Sequence, residues 1–366
     1  MMTPRERFLT ALRGGQPDRV PVWDWVNNPA LYQDQLGETP TCFDGSLAAR
    51  LSKALGLDGV WAPAEGFMGL ISRRWQWLDN VRFVDEWGIG YQVETGSWPL
   101  AFPAKHPLKT RADWDNLAKP EPSTPWRVEY ATAAVAEAKR EIGVVGGVRG
   151  PFSSAWMLMG LTQMSFNLFD DPALLADIFK TAADFWTGVG GQLIEAGVDA
   201  VVIHDDLGSN TATFFAPDDL RRYYLPHLRR QVQTLAETGT PVILHSCGNI
   251  KAVLPDLVAT GISGLNNLQR TAQMKIEEVK ATYGPNLCLI GNVDATTLMP
   301  TATPAEVEQA VKACLDVAAP GGGYILATDH SFHEGIPLKN VYALIQAGKK
   351  FGGYYHPDRQ GEQTDG

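Results

Sequence analysis

Eight short apolar runs, alternating with amphipathic segments, constrain the fold of this chain more than any other feature. In chain order the runs lie in VPVW, GVWAP, GVVGGV, DAVVIHDD, PVILHSCGN, GLNNLQ, LCLIGNVD and GYILATDH. The segments between the later runs have helical periodicity and end at glycine, as many helices do. Continuous Val/Ile/Leu strands that alternate with such helices indicate a parallel sheet covered on both faces, and eight strands close a (β/α)8 barrel. The sequence therefore predicts the α/β class and a TIM barrel.

Three further features set the organisation of the predicted barrel. Thr3, Pro4 and Glu6 have the form of a helix start, which predicts an N-terminal helix through about Leu12. The region from about 65 to 126 is rich in Trp, Pro and Arg and is predicted as a long insertion between strands 2 and 3. We expect one domain over residues 1–355 and a disordered tail over 356–366, because the tail has almost no apolar content. The alternative is an open doubly wound sheet, although no Gly-x-Gly-x-x-Gly turn supports it.

Composition and charge exclude several kinds of partner. Of the 366 residues 45% are hydrophobic and 20% charged, the net charge is -10, and no long Lys/Arg run occurs. We therefore expect neither nucleic acid nor a membrane as a partner. Four scattered cysteines do not form the framework of a small secreted protein, and the charged N-terminus does not resemble a signal peptide, which indicates a cytoplasmic protein. Small molecules or proteins are the expected partners, and a homodimer is one arrangement open to the chain.

Polar side chains end nearly every predicted strand, at the edge where a barrel of this type builds its site. Strand 5 ends in HSCGN, where His245 and Cys247 are two positions apart and point to the same side. Zinc accepts this pair of imidazole and thiolate, and a catalytic zinc ion typically has three protein ligands. His330, at the end of strand 8, is the preferred third ligand, with Asp329 and His333 as alternatives. The other interpretation is structural, with Cys247 buried and His245 hydrogen-bonded to a neighbouring strand end.

Other strand ends supply candidates for catalysis and substrate binding. Asp205 and Asp206 follow strand 4, and because adjacent side chains of a strand point in opposite directions, only one can face the site. Asp206 is the preferred catalytic residue, and adjacent acids of this kind often cap a helix or pair with an arginine. The candidates for substrate binding are Trp23, Arg149, Asn267 and Asp294.

Four motifs in a fixed order resemble one known superfamily. They are MTPRERFLTALRGGQPDRVPVW at the start, HDDLGSN after strand 4, HSCGN after strand 5, and GGGYILATDHSFHEGIPLKNVYALIQAGKKFG at the end. Together they resemble the uroporphyrinogen decarboxylase superfamily, and more closely its branch of corrinoid-dependent methyltransferases. The resemblance covers nearly the whole chain and implies a TIM barrel. The arginine-rich element that holds porphyrinogen carboxylates in the decarboxylases has no counterpart in VPVWDWVNNPALYQD, which contains no arginine.

The resemblance implies a zinc-dependent methyltransferase. In that branch the zinc ligands are His-x-Cys after strand 5 and a third residue after strand 8, commonly cysteine. The matching positions here are His245, Cys247 and His330, so an imidazole replaces the third thiolate. The expected reaction moves a methyl group from a small methylated compound, such as a methoxylated aromatic, to the cobalt of a corrinoid, with Asp206 orienting the substrate or donating a proton. No Asp-x-His-x-x-Gly signature of cobalamin ligation occurs in the chain, which predicts a separate corrinoid protein as partner.

Three other functions remain open from the sequence. A metal-free decarboxylase of a small carboxylic acid would use Arg149 or Arg73 to bind the carboxylate. A non-enzymatic accessory protein would bind a corrinoid or a methylated compound without turnover. A zinc hydrolase would need a base beside the metal, which Asp329 or Glu334 would supply.

Overall fold

The computed structural model describes residues 1–354, and the predicted disordered tail over 356–366 lies outside the described residues. The strands are β1 (Val26–Asn27), β2 (Gly59–Pro63), β3 (Gln76–Trp77), β4 (Arg82–Val84), β5 (Gly90–Gln92), β6 (Phe102–Lys105), β7 (Gly143–Arg149), β8 (Ala200–His204), β9 (Val242–His245), β10 (Gly264–Asn266), β11 (Cys288–Val293), β12 (Tyr324–Thr328) and β13 (Phe332–His333). The helices are α1 (Pro4–Leu12), α2 (Pro29–Leu36), α3 (Gly45–Leu55), α4 (Arg111–Asn116), α5 (Glu129–Ala138), α6 (Pro151–Met159), α7 (Leu161–Asp170), α8 (Pro172–Glu195), α9 (Pro217–Asp219), α10 (Leu225–Ala236), α11 (Leu254–Val258), α12 (Ile276–Tyr283), α13 (Leu298–Thr301), α14 (Pro304–Ala318) and α15 (Leu338–Phe351).

Seven strands form one parallel sheet in the order β12-β11-β10-β9-β8-β7-β2. Their residues are buried throughout, as expected for strands covered by helices on one side and packed against each other on the other. The order follows the chain without the reversal that defines a doubly wound sheet. The sheet is therefore of the TIM-barrel type that the alternation of strands and helices predicts.

A short segment at residues 20–23 joins the two ends of this sheet. Val22 bridges Leu326 of β12 in parallel, and the carbonyl of Val22 accepts a hydrogen bond of 2.8 Å from the amide of Asp58, just before β2. Farther along, the Asp24 carboxylate accepts hydrogen bonds from the amides of Trp25 (2.8 Å) and Thr328 (2.7 Å). The first predicted strand is thus a bridge segment rather than a full strand.

Between β2 and β7 the chain carries a second, smaller sheet. Strands β3, β4, β5 and β6 pair antiparallel in that order, and helix α4 follows them. We refer to residues 65–126 as the insertion. Its loop over residues 96–101 leads into β6 and lies over the carboxyl ends of the barrel strands, an end that we call the mouth.

Helix α1 covers the opposite, lower end of the barrel, where the strands begin. Thr3 and Glu6 form the predicted capping box, and the helix ends at Leu12 as expected. The Phe8 ring packs 5.6 Å from the Trp23 ring. A Cβ atom at position 143 would lie 3.0 Å from Phe8, so glycine at the start of β7 lets α1 approach this closely.

A buried ion network ties α1 to the lower end. Asp58 is fully buried and accepts hydrogen bonds from Arg7 Nη1 (2.6 Å), from both Nη atoms of Arg19 (2.9 and 3.0 Å) and from the amide of Val22 (2.7 Å). Arg7 also binds Asp18 at 2.6 Å. Every oxygen of Asp58 is paired, which is the condition under which a buried charge is tolerated.

Among residues 1–354, no helix combines the length and the hydropathy that crossing a bilayer requires.

Candidate metal centre

The centre begins with two side chains at the end of β9. His245 is the last residue of the strand, and Cys247 follows two positions later on the same side. Cys247 Sγ lies 3.6 Å from His245 Nε2. Ser246 between them turns away, and its hydroxyl accepts a hydrogen bond of 3.0 Å from the amide of Leu207. The structure therefore brings the predicted imidazole and thiol to one point.

The third side chain follows the end of the neighbouring strand β8 by two residues. Asp206 Oδ1 lies 3.7 Å from His245 Nε2 and accepts a hydrogen bond of 2.7 Å from the amide of Cys247. One ligand atom from each of Asp206, His245 and Cys247 lies within 4.8 Å of the other two. These three residues are the metal group.

His330, the predicted third ligand, lies on the wall of the same cavity but outside this group. Its Nδ1 atom lies 2.9 Å from the Ser331 hydroxyl, and His330 lines the cavity together with Asp206, His245 and Cys247. The two alternatives for the third position are occupied elsewhere. Asp329 accepts hydrogen bonds from the amides of Arg270 and Ala295, and His333 Nε2 lies 3.0 Å from the carbonyl of Ala295.

Two asparagines at the end of β10 support the metal group from behind. Asn266 Oδ1 lies 2.7 Å from His245 Nδ1, so a proton on Nδ1 leaves the lone pair of Nε2 directed at Asp206 and Cys247. Asn267 Nδ2 donates to Cys247 Sγ at 3.3 Å. Partners of this kind orient metal-binding residues and adjust their basicity. The structure places Asn267, a predicted substrate-binding residue, against the thiol, and Asn266 is a contact that the sequence does not predict.

The electrostatics of the group lack a positive charge. Burial lowers the pKa of His245, although the Asp206 carboxylate opposes this, and burial together with Asp206 raises the pKa of the Cys247 thiol. No lysine or arginine among the described residues lines the cavity here. The donor set of one nitrogen, one sulfur and one carboxylate oxygen is one that zinc accepts, and a divalent cation would compensate the carboxylate and a deprotonated thiol. The residues thus fit a zinc ion.

His204, at the end of β8, is a further residue of the site that sequence reasoning missed. Its ring is 3% exposed and lies 5.1 Å from the His245 ring and 4.6 Å from the Trp25 ring. Its Nε2 atom has no hydrogen-bond partner among the described residues, and burial lowers its pKa well below the usual value. Because His204 and Asp206 are two positions apart, strand periodicity was a signal that could have placed them on one side.

Two connected cavities lie above the metal group. The inner one, of about 80 Å³, is lined by the metal group, by His204 and by the rings of Trp25, Trp61 and Phe67. The outer one, of about 310 Å³, lies between the insertion, α6 and β13. The two share the lining residues Asn27, Met68, Leu100, Asp206 and His330, so they form one path from the outer cavity to the metal group.

Asp205 does not join the metal group. Its carboxylate is fully buried and points into the wall, where it accepts hydrogen bonds from the amides of Phe152 (3.3 Å) and Ser153 (2.6 Å) and from the Tyr224 hydroxyl (2.8 Å). These amides belong to the first turn of α6, so Asp205 satisfies a helix start. Asp206 points the other way, to Cys247.

Three predicted substrate-binding residues also lie away from the cavities. Trp23 is fully buried below Trp25, which takes its place as the aromatic wall. Arg149 is buried behind β7, with Nη2 3.0 Å from the carbonyl of Gly66 and its guanidinium 5.2 Å from the Trp186 ring. Asp294 accepts hydrogen bonds from the amides of Thr296 and Thr297 and so forms a turn. Side chains at the strand ends point alternately into the barrel mouth and away from it. These three side chains point away from the mouth or lie below it, so they do not reach the cavities.

The fold and the site define a parallel α/β barrel with a zinc-type donor group at the mouth. Residues 83–351 match the sequence model of the family described as uroporphyrinogen decarboxylase (URO-D). The chain belongs to this family, which confirms the resemblance carried by the four motifs.

Both branches of the family occur among the similar proteins. A uroporphyrinogen decarboxylase of Alkalilimnicola ehrlichii is 26% identical, with 98% of this chain and 97% of the relative aligned. The methylcobamide:CoM methyltransferase MtbA of Methanosarcina acetivorans is 24% identical, with 95% of this chain and 98% of the relative aligned. The solved structure of a methyltransferase from Methanosarcina mazei superposes with a TM-score of 0.76 at 22% identity, covering 96% of this chain and 99% of the other, and shows the same fold.

Proposed function

We propose that this protein is a zinc-dependent methyltransferase that moves a methyl group from a small methoxylated aromatic compound to the cobalt of a separate corrinoid protein. The observation that supports the proposal is the metal group of Asp206, His245 and Cys247 at the floor of an aromatic-walled cavity. A relative that aligns with 95% of this chain has a name that describes methyl transfer between a methylcobamide and coenzyme M. The metal group and this relative together favour methyl transfer.

His245, Cys247 and Asp206 would hold the zinc ion in this proposal, and His330 is the second candidate for the third position. Zinc bound there supplies Lewis acidity toward an oxygen atom of the substrate. This property matters because an ether oxygen is a poor leaving group until its developing negative charge is stabilised.

The protein's own residues supply three other contributions. Trp25, Trp61 and Phe67 wall the inner cavity and exclude water, which strengthens the electrostatic interactions inside it. Asn266 and Asn267 hold the imidazole and the sulfur in fixed orientations. If His330 is not a ligand, its imidazole lies at the wall of the same cavity, where it can donate a proton to the oxygen that remains after the methyl group has left. That oxygen keeps both electrons of the broken carbon–oxygen bond.

The methyl acceptor must approach through the mouth. The metal group is closed from below by the barrel and α1, and the outer cavity is the path that leads to it. A corrinoid carried by another protein would therefore bind above the insertion loop and α6. The proposed partner is this corrinoid protein.

Metal content and turnover test the proposal together. Native protein loaded with zinc should bind about one ion per chain and should demethylate 2-methoxyphenol only when a reduced corrinoid protein is present. Asp206→Ala and His330→Ala separate the two candidates for the third position, because the variant of the true ligand loses the ion. A native protein that binds no stoichiometric zinc, or that releases no methyl group to a corrinoid, contradicts the proposal.

The second candidate is a metal-free decarboxylase, which several relatives' names favour. The guanidinium of Arg149 is buried behind β7 and Arg73 is exposed, and neither lines the cavities. The carboxylate clamp that this function needs therefore lacks its expected residues. Release of CO2 from a small carboxylic acid by His245→Ala at the native rate would favour this candidate over methyl transfer.

A further inference from the structure

The outer cavity is divided into a polar side and an apolar side. The polar side, next to the metal group, consists of Asn27, Asp206, His330, Ser331 and His333. The apolar side is built mainly by the insertion and α6, and its large side chains are Met68, Trp98, Leu100, Phe102, Trp156 and Met157. A bound compound would thus present one polar atom to the metal group and place the rest of its body against apolar and aromatic surfaces.

The apolar side also lacks a cation. Over residues 1–354, neither cavity has a lysine or an arginine in its lining. A carboxylate on the distal part of a bound compound would lose its water without gaining a partner, which costs about 1–3 kcal/mol or more. A quaternary ammonium group would meet aromatic rings, which attract cations, but its nitrogen has no lone pair to offer to a metal ion. The chemistry of the lining therefore favours a compound without an anionic group and with an ether oxygen at one end.

The size of the cavity is sufficient for a compound with one substituted ring. A cavity of about 150 Å³ is enough to hold benzene, and the outer cavity measures about 310 Å³. One substituted ring fits, with its methoxy group directed to the inner cavity of about 80 Å³.

We infer that the methyl donor is an aryl methyl ether without an anionic group and that Leu100 and its apolar neighbours exclude carboxylated analogues. This inference rests on the proposed function and specifies its substrate. Leu100 is the most informative of these residues because it is half-buried, lines both cavities and belongs to the insertion rather than to the barrel.

Two compounds with the same ring and ether test the inference by isothermal titration calorimetry on zinc-loaded protein. They are 4-methoxytoluene and 4-methoxybenzoate, which are neutral and anionic. We expect the neutral compound to bind about 10- to 100-fold more tightly than the benzoate. Leu100→Lys should reduce this ratio at least about tenfold, because the flexible lysine side chain can bring its ammonium group to the carboxylate.

A matched control places the same lysine outside the cavity. Leu78 lies in the insertion with 58% of its surface exposed and does not line either cavity, so Leu78→Lys should keep the native ratio. Equal or tighter binding of the benzoate to native protein would overturn the inference. An unchanged ratio in Leu100→Lys would overturn the role of the apolar side.

Binding and turnover separate this inference from the proposed function. If the neutral compound binds selectively but transfers no methyl group to a corrinoid protein, the proposed function fails while the selectivity of the cavity stands. If methyl transfer proceeds equally well from the benzoate, the proposed function stands and the inference fails.

Discussion

The two ends of the barrel differ in whether their buried polar groups have hydrogen-bond partners. At the lower end, Asp58 is fully buried and both of its oxygens are paired, with Arg7, Arg19 and the amide of Val22 as donors. At the mouth, His204 Nε2 and Asn267 Oδ1 are buried without a hydrogen-bond partner among residues 1–354. Cys247 lies beside the Asp206 carboxylate with no cationic side chain in the lining of the inner cavity.

This difference separates a structural site from a binding site. An unpaired buried donor or acceptor costs about 1–3 kcal/mol, so groups of this kind are rare in native proteins. At the mouth, the two unpaired groups lie next to the donor atoms of the metal group, which indicates a place that a ligand completes. At the lower end both oxygens of Asp58 are satisfied, and the ion network serves to fix α1 against the strands.

The largest effect is expected from breaking the lower network. Asp58→Ala should lower the free energy of unfolding by about 3–5 kcal/mol, because it leaves two guanidinium groups partly buried without their carboxylate. Urea unfolding measures this change. Glu38→Ala removes an exposed ion pair with Arg50 and should cost less than about 1 kcal/mol. Equal losses in the two variants would remove the distinction between the buried network and an ordinary surface pair.

The next effect is on function at the mouth. His245→Ala should abolish stoichiometric zinc binding and lower the rate of methyl transfer by at least about 100- to 1000-fold, in line with the loss of a main electrostatic stabiliser. Plasma mass spectrometry and a corrinoid-coupled assay measure the two changes. Cys42→Ala, a half-buried cysteine outside the metal group, should keep the native zinc content. Zinc retained in His245→Ala would mean that the metal group does not hold the ion.

A smaller effect is expected on the free energy of unfolding as the pH changes. It comes from Asp24, whose carboxyl group binds the amide of Thr328 near the mouth. Burial raises the pKa of Asp24 to about 7, and no arginine within residues 1–354 binds it as Arg7 and Arg19 bind Asp58. Its folded pKa lies above its unfolded value, so the native state holds a proton that the unfolded state releases between pH 4 and 7. The free energy of unfolding therefore falls as pH rises through this window.

Asp24→Asn removes this dependence because an amide does not ionise. From pH 4.5 to pH 7.5, the variant should gain about 2–3 kcal/mol relative to the native protein. Urea unfolding at the two pH values gives the difference. Parallel stability curves for the two proteins would show that Asp24 is ionised in the folded state throughout.

The smallest effect is expected behind the metal group. Asn266→Ala removes the acceptor from His245 Nδ1 and should weaken zinc binding by about 10- to 100-fold, as removing an outer partner of a ligand usually does. Competition with a chelator measures the affinity. Asn249→Ala serves as the control, because this amide bonds the backbone of Lys251 and not the metal group. Equal affinities for the two variants would show that Asn266 does not tune the ligand.

The sequence predicts most of the barrel because its strands are local apolar runs. Strands β7 and β12 are buried along their whole length, so their sequences are recognisable as continuous apolar runs. The capping box of α1 identifies the first turn of that helix. The short bridge at residues 20–23 was not predictable, since its length depends on pairing with Leu326 at the far end of the chain.

The site is predictable only where one strand supplies its residues. His245 and Cys247 come from one strand end, and a spacing of two is enough to bring them together. Asp206 follows the adjacent strand β8, and its distance to His245 depends on the register between β8 and β9, in which His204 pairs with His245. The inward direction of Trp25 rather than Trp23 depends on where the bridge segment ends, which composition does not reveal.

The bridge segment also determines when the barrel can close during synthesis of the chain. Asp24 and Thr328 are joined across a separation of 304 residues, so the barrel seam cannot form until almost the entire chain has left the ribosome. Pairings of such long range form late and slowly. Until then the nascent sheet has two open edges, at β2 and at the last strand released, which makes the growing chain a candidate for assistance by chaperones.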